Sequence, residues 1–589
     1  MESATFTRIA REAPFFDEGH GFDVFGLHPP HLAAAISWAR PLYERYFRVD
    51  SRGAERIPAS GPVILVANHA GILPVDGALL CLDVLYRTSP PRIPRPVGDQ
   101  FIPKLPLIGT LFSRLGVVSG TRANVRRLLE RGELLVIWPE GVAGPAKRFR
   151  DRYKLQSWRV GFAEQAIRHR AVIVPVAIIG SEESWPLIAK LPLRAFGAPY
   201  IPVPAVPLPL PAHYRVRYGA PMVVGTDAGE ADDPAAVARV CQRTRCPGAA
   251  RRRFAPRAQG MVPLKVLVTG ATAPLGRAIV DRLLATDEVE IVIAIGHERE
   301  QPRAQHDKLL RQTVDLLHSR AVHDLVWGLG RELSVDLVIH AMHHRDARDR
   351  GRRVHTQNVE TTRNLLLACR DHPSVRRLVY RSFAEVYTLR HTTSNLIDED
   401  GALDFDPTTT QWVRDRVEAD LLVCAHADAL QVAVLRCAEI LAPGTGSQIW
   451  DYLQSRVCLR PLGFDPMLNV LALEDAAEAF VRAARSRATG VFNIPGRDTL
   501  PLSAAIERSA RVDIPVPGPL LSPLYGLRRW LAGFSFRYDM NLPRFHFGGV
   551  LDGTRARDAL GYEPTTSVQW PGPWWHELAA ALAEARHAP

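Results

Sequence analysis

Long apolar runs are missing from this chain of 589 residues. No stretch approaches the roughly 20 apolar residues that a membrane-crossing helix needs, and Met1 to Glu12 lacks the apolar centre of a signal peptide. Neither a membrane-spanning nor a secreted protein is expected. Cysteine is scarce, with seven in all, and scattered; Cys241 and Cys246 stand as a lone pair with no second pair to complete a zinc site. No metal centre is expected, and a reducing cytoplasm is the natural setting. There is no repeat period, no low-complexity tract beyond short Pro-rich runs, and no nucleic-acid module. What is present is ordinary for a folded enzyme: 47% hydrophobic and 23% charged residues. A formal net charge of +11 favours phosphorylated substrates or acidic lipid head groups over nucleic acid as partners. The length exceeds a single core and suits two large domains. No feature of the sequence sets an oligomeric state.

The stretch VILVANHAGILPVDG, Val63 to Gly77, reads as a buried strand, Val63 to Ala67, that delivers Asn68 and His69 to its C-terminal end, followed by a loop bearing Asp76. A carboxylate beside a histidine fixes the imidazole tautomer and stabilises the imidazolium formed when a proton is taken, which suits general-base work. The same spacing arises by accident in many proteins, so on this stretch alone a structural pairing stays open.

Before it, the turn-rich DEGHGFDVFGLHPP leads into His31 to Phe47, where Leu32, Ala35, Ile36, Ala39, Leu42, Tyr43, Tyr46 and Phe47 recur at helical spacing beside Trp38. This is a membrane-interface helix or a helix packed on its own domain; Pro41 and the sparse cationic face favour the second. After it come a strand around Val117 and Val118 and a helix from about Ala123 with Arg122 at its entrance. An arginine there suits a phosphate at a helix N-terminus, or has no such task. A second buried strand, Leu134 to Trp138, ends in Pro139, Glu140 and Gly141, with Lys147 and Arg148 beyond, and Ala171 to Ile179 forms a third. In this α/β layout His69, Asp76, Arg122 and Glu140 converge at one sheet edge.

NHAGILPVDG, GTRAN, WPEGVAG with its following lysine, and VPVAIIGSEE, in this order, resemble the glycerolipid and lysophospholipid acyltransferase family over about residues 15 to 225. The resemblance implies His69 as general base and Asp76 as its orienting partner. It also implies Asn68 as an orienter of His69 or of an acyl oxygen, Arg122 and Lys147 as contacts to the acceptor's phosphate or polar head, Glu140 and Gly141 as shapers of acceptor binding, and Pro175 as part of the acyl or CoA channel. The co-substrates implied are acyl-CoA or an acyl carrier protein as donor and a lysophospholipid or glycerol-type lipid as acceptor, at the cytoplasmic face of a membrane. The family's usual gap between His and Asp is four residues and here it is six, which bears on substrate class more than on chemistry.

The Pro-alternating IPVPAVPLPLP is an extended segment, HYRVRYGAPM one more strand, and the arginine-rich stretch around Arg243 to Arg257 a linker. KVLVTGATAPLGRAIVDRLL then opens a second α/β domain with a strand, a glycine-bearing turn and a helix facing a dinucleotide pyrophosphate. With EIVIAIG, Asp315, Asn358 in QNVETTRNLL, Ser382 in LVYRSFAEVY, and GVFNIPG, it resembles the extended short-chain dehydrogenase/epimerase family over about residues 263 to 500. The resemblance implies a Rossmann-type doubly wound parallel sheet, with Gly270, Gly276, Asp315, Asn358 and Ser382 as NAD(P) contacts. Ala273 stands where the middle glycine is usual, the second strand ends in Ile295, Gly296 and His297 without an acidic residue, and the family's Tyr-x-x-x-Lys pair falls on Trp412 and Arg416. Tryptophan cannot shuttle a proton, so this half is expected to bind a nucleotide, if at all, without redox turnover. The rival reading is an NAD(P)-dependent epimerase or reductase tethered by its N-terminal half.

The expected organisation is therefore a helix-bearing segment 1–47, an acyltransferase-like α/β domain 48–240, a linker 241–261 and a Rossmann-type domain 262–589. PLLSPLYGLRRWLAGFSFRYDM in the last of these is an interfacial helix or a cap on its own domain, and PGPWWHELAAALAEARHAP a C-terminal helix.

Overall fold

The apolar run Val63–Ala67 is buried at every position, which for a strand requires cover on both faces and a neighbour on each edge. The computed structural model shows how that is met. It describes residues 13–70, 74–145, 147, 155–156, 158–191, 201–224, 231–233, 236–237, 240–241, 244, 264–296, 306–427, 429–486, 488–532 and 535–572. The expected arginine-rich linker, Arg148, His297 and the C-terminal helix fall almost wholly outside these residues. The chain divides into two units, 1–17 with 21–257 and 391–395, and 18–20 with 258–390 and 396–589. Of the N-terminal segment, residues 1–17 and 21–47 group with the first unit and residues 18–20 with the second.

The first unit contains strands β1 Asp50–Arg52, β2 Val63–Ala67, β3 Pro94–Gly98, β4 Val118–Ser119, β5 Leu134–Ile137, β6 Val172–Ile179, β7 Leu187–Leu191, β8 Ile201–Pro204, β9 Arg215–Tyr218 and β10 Met222–Val223. The main sheet runs β1-β9-β6-β2-β5-β3-β4, with β10 also on β6. Neighbours from β6 through β4 are parallel, and β9 and β10 pair antiparallel with β6. The Pro-alternating segment supplies β8, which pairs antiparallel with β7 in a separate two-stranded sheet; its prolines keep it out of the central sheet. Helices Val75–Arg87, Arg122–Glu130 and Gly161–His169 bury Leu79, Leu80, Leu128, Phe162 and Ile167.

The helix expected over residues 31–47 is regular only over Pro29–Pro41 and continues as a wide turn, Leu42–Tyr46. Pro41 lacks the N–H that would continue the ladder. Ala33, Ile36, Tyr43 and Phe47 enter the core, so the helix packs on its own unit, while Trp38 remains 85% exposed.

The second unit is built on a seven-stranded parallel sheet whose strands lie in the order Leu309–Thr313, Val289–Gly296, Leu264–Thr269, Leu337–His340, Arg377–Phe383, Gln431–Cys437 and Gly490–Ile494. The order reverses at Leu264–Thr269, the doubly wound arrangement expected from the sequence. The late apolar segment forms helices Gly518–Ala532 and Tyr538–Phe547, with Leu521, Tyr525 and Phe545 packed into this unit.

Candidate active site

Because β2 and its parallel neighbours all point the same way, the loops that follow them gather at one edge of the sheet. β2 ends in Asn68 and His69, and the helix Val75–Arg87 opens with Asp76 in its first turn. His69 Nδ1 lies 2.8 Å from Asp76 Oδ2. The carboxylate is only 1% exposed and is held from both sides, with the Ala70 N–H donating to Oδ2 at 2.9 Å and the Gly77 N–H to Oδ1 at 2.8 Å. Three donors on one buried carboxylate fix its position, and through it the imidazole. The proton of the neutral ring therefore sits on Nδ1, leaving Nε2 as a base. Burial alone would lower the His69 pKa; the carboxylates of Asp76, Asp99 and Glu140 outweigh it and hold the imidazole above the ordinary 6.5.

The loop after β5 closes on the same group. Glu140 Oε1 accepts the His69 backbone N–H at 3.2 Å, and its Oε2 accepts from Gln156 N at 2.9 Å. Lys147 Nζ, nearly buried, sits 3.5 Å from Glu140 and 3.2 Å from Glu182. Burial, with help from Glu140 and Asp76, raises the Glu182 carboxyl, and Lys147 opposes that rise. Gly144 is required by close approach, since a Cβ there would lie 2.6 Å from the His69 carbonyl oxygen. Gly141 has φ +52°, and a Cβ there would meet the Arg159 guanidinium at 3.0 Å. Trp138 covers the imidazole, ring centroids 5.2 Å apart, and the Ser181 hydroxyl donates to Ala70 O at 2.6 Å. A small cavity lined in part by Ala70, Gly144, Lys147 and Glu182 opens beside this cluster.

The structure thus joins His69, Asp76, Glu140, Gly141 and Lys147. Three others lie outside this contact cluster. The Asn68 amide is used on backbone, donating to Ile178 O at 2.8 Å and accepting from Ile178 N at 2.7 Å, so its role as an orienter of His69 or an acyl oxygen is revised to a bridge from β2 to β6. Arg122 follows β4 at the same sheet edge, is 81% exposed in its side chain and pairs with Glu164 at 3.1 Å. Pro175 lies within β6 opposite Val66, where its carbonyl accepts from Gly219 N at 2.8 Å. Sequence reasoning missed Asp99, Trp138, Arg159 and Glu182, although Trp138 and Glu182 stand inside two of the four motif blocks.

In the second unit Gly270 has φ +70°, and a Cβ on Gly276 would lie 2.0 Å from the Gly270 carbonyl oxygen, so the turn into helix Pro274–Leu284 closes only with glycine at 276. Gly296 is packed under Thr272, with no side chain at the second strand's end. Asp315 is half exposed and accepts from Leu317 N at 2.9 Å; Asn358 is buried and accepts from His344 N at 2.8 Å. The reading of Ser382 as a cofactor contact is revised: it is fully buried, and its hydroxyl donates to Asp420. Asp420 also receives Arg436 Nε at 3.0 Å and Nη2 at 2.8 Å. Arg416 stacks between Phe383 and Trp412, 3.8 and 4.0 Å from the two ring centroids, and pairs with Glu385 at 2.8 Å.

Two family models match the chain, one described as Acyltransferase over residues 48–179 and one described as NAD dependent epimerase/dehydratase family over residues 266–494. An uncharacterized protein of Mycobacterium tuberculosis (strain ATCC 25618 / H37Rv) is 40% identical over 231 residues, covering 36% of this chain and 64% of that protein. A second uncharacterized protein of the same strain is 30% identical over 312 residues, covering 51% of this chain and 80% of that protein. A 3-diazoavenalumate denitrifying reductase of Streptomyces sp is 27% identical over 309 residues, covering 51% of this chain and 96% of the reductase. The chain thus spans less than two thirds of the length of the first of these relatives.

Proposed function

Since this chain belongs to the acyltransferase family through its first half and to the NAD-dependent epimerase/dehydratase family through its second, we propose that it transfers a fatty acyl group from acyl-CoA or an acyl carrier protein to a hydroxyl of a lysophospholipid or glycerol-type lipid. The observation behind this reading is the 2.8 Å contact of His69 Nδ1 with a carboxylate that two backbone N–H groups hold in place. His69 Nε2 takes the proton of the acceptor hydroxyl as its oxygen attacks the thioester carbonyl carbon. Backbone N–H groups at the strand ends hold the oxyanion. The C–S bond then breaks, and the imidazolium returns its proton to the leaving thiolate. No enzyme nucleophile is needed. Exposed Arg122 and Arg159 supply cationic contacts for an anionic head group, while Lys147 neutralises Glu140 and Glu182.

Association with the membrane surface is part of the same proposal. Helices Pro29–Pro41 and Ile108–Arg114 expose Trp38, Ile108 and Leu111 on a chain of net charge +11, a composition suited to an anionic lipid interface. No helix among the described residues is long and apolar enough to cross a bilayer.

In the second unit, the turn at Gly270 and Gly276 fits the pyrophosphate of NAD(P), a group that when bound supplies hydride chemistry. The catalytic positions do not fit that use, because a stacked, ion-paired Arg416 and a buried Trp412 replace the proton-handling pair. We therefore read this half as a nucleotide-binding, redox-silent domain. The reductase among the relatives keeps one other reading in view, a reductase activity in this half.

The deciding experiment is mass spectrometry of products from the purified chain and its His69→Ala variant, offered mixed lysolipids and acyl-CoAs. Acylated products that vanish in the variant support the proposal; equal turnover by both would end it.

A further inference from the structure

In the strand Arg377–Phe383, alternate side chains leave opposite faces. Ser382 points to the buried Asp420 and Arg436 network, so Arg381 and Phe383 share the other face. There they meet His343, from the loop after Leu337–His340, and Arg416, from helix Gln411–Cys424. The Arg381 guanidinium lies 4.9 Å from the Phe383 ring centroid, and the His343 ring is 4.9 Å from the same ring. Arg381 is only 6% exposed. Among the described residues it has no carboxylate partner, whereas Arg416 is neutralised by Glu385 and Arg544 by Glu439. Arg345 adds a further positive charge and donates to Gly444 O at 2.9 Å.

Arg381 Nη1 lies 2.9 Å from His343 Nδ1. A guanidinium can only donate, so Nδ1 must accept, and the imidazole proton is placed on Nε2. The 3.5 Å approach of the same nitrogen to Ala341 O is then a contact and not a hydrogen bond. Burial first, then the charges of Arg381, Arg416 and Arg345, push the His343 pKa well down, so the ring is neutral. Two buried N–H donors, Arg381 Nε and His343 Nε2, are left with no acceptor among the described residues. A buried donor without an acceptor and a buried cation without an anion are both costly, and both are relieved by the same kind of group. His343 and Glu385 retain partial exposure at the edge of this face, while the two donors themselves are buried.

We propose that the face formed by His343, Arg381 and Arg416 is an oxyanion-binding site, which takes the carboxylate or phosphate of a small molecule with Arg381 Nε–H and His343 Nε2–H as its two buried donors. This site makes no use of the acyl-transfer residues. It gives the second unit a ligand of its own at the place where the epimerase-like proton-handling residues are absent.

The test is isothermal titration of the full chain with inorganic phosphate and, separately, with acetate, at an ionic strength fixed with sodium chloride. The wild type is expected to show a saturable component for at least one of the two anions, phosphate alone marking a phosphorylated ligand and acetate alone a carboxylic acid. Arg381→Met should lose one binding site per chain. His343→Phe, which keeps the guanidinium and removes one donor, should weaken that component roughly tenfold and decides the matter should Arg381→Met fail to fold. No saturable heat with either anion, or variant isotherms that superimpose on the wild type, would overturn the proposal.

Discussion

Replacing Asp76 with Asn separates the charge on this group from its shape. The side chain keeps its size, but the imidazolium formed at His69 loses the negative charge that faces it at 2.8 Å. With the charge centres about 4 Å apart and an effective dielectric constant of about 20, that attraction is worth about 4 kcal/mol. His69 is 17% exposed, so solvent screens part of it. A loss of about 3–4 kcal/mol in the transition state corresponds to a fall in kcat of roughly 100- to 1,000-fold. The pH dependence provides a second readout. A general base works in its neutral form, so activity rises with pH through the His69 pKa, which the wild type holds above 6.5. Without Asp76, burial is opposed only by the more distant Asp99 and Glu140, so the acid limb of kcat/KM against pH should move to lower pH. Steady-state acyl transfer from pH 5 to 9, with thermal melts to confirm folding, measures both effects. An Asp76→Asn variant within about tenfold of wild type, with its acid limb unmoved, would refute the assignment of His69 and Asp76.

Four further outcomes follow from the same structure. Gly144→Ala should reduce acyl transfer strongly with a modest change in melting temperature, because the new Cβ must push the loop off the His69 carbonyl; kcat and melts on one preparation check this. Lys147→Met removes the ammonium that Glu140 and Glu182 share. The Glu182 pKa, already raised in the folded state, should climb further. A carboxyl raised on folding destabilises above its unfolded pKa, so the penalty should be full at neutral pH and relieved in acid, as urea melts across pH would show. Asp420→Asn strips a buried carboxylate from Arg436 and Ser382 and should remove about 3–5 kcal/mol from the stability of the second unit, read by urea denaturation. Nicotinamide absorbance should stay unchanged when NAD(P)H is offered with sugar nucleotides or carbonyl substrates; a steady substrate-dependent decline would restore the reductase reading.

Much of the first site was legible in the chain because strand runs such as Val63–Ala67 are unambiguous, and a parallel sheet must gather the loops that follow its strands at one edge. His69, Asp76 and Glu140 could be brought together on that basis. The use of Asn68 on Ile178 backbone could not, since an amide side chain gives no sign in sequence of which partner it satisfies. Asp99 and Arg159 escaped notice because each acts across the sheet edge, from a segment with no pattern of its own. Ser382 shows the converse: its motif position suggests a cofactor contact, whereas strand alternation turns its hydroxyl toward Asp420 and presents Arg381 and Phe383 on the other face. The arginine face was invisible for the same reason, because it exists only once two strands and a helix have been brought side by side.

The bridge from Asn68 to Ile178 bears on how this chain can tolerate insertions. By pairing with both backbone groups of Ile178 it extends the register of β2 and β6 one step beyond the last residue of β2. A residue gained or lost before Ala70 would swing His69 to the opposite side of the sheet. Asp76 is anchored by the amides of Ala70 and Gly77, so the carboxylate is tied to the residue that follows His69 as well as to the imidazole itself.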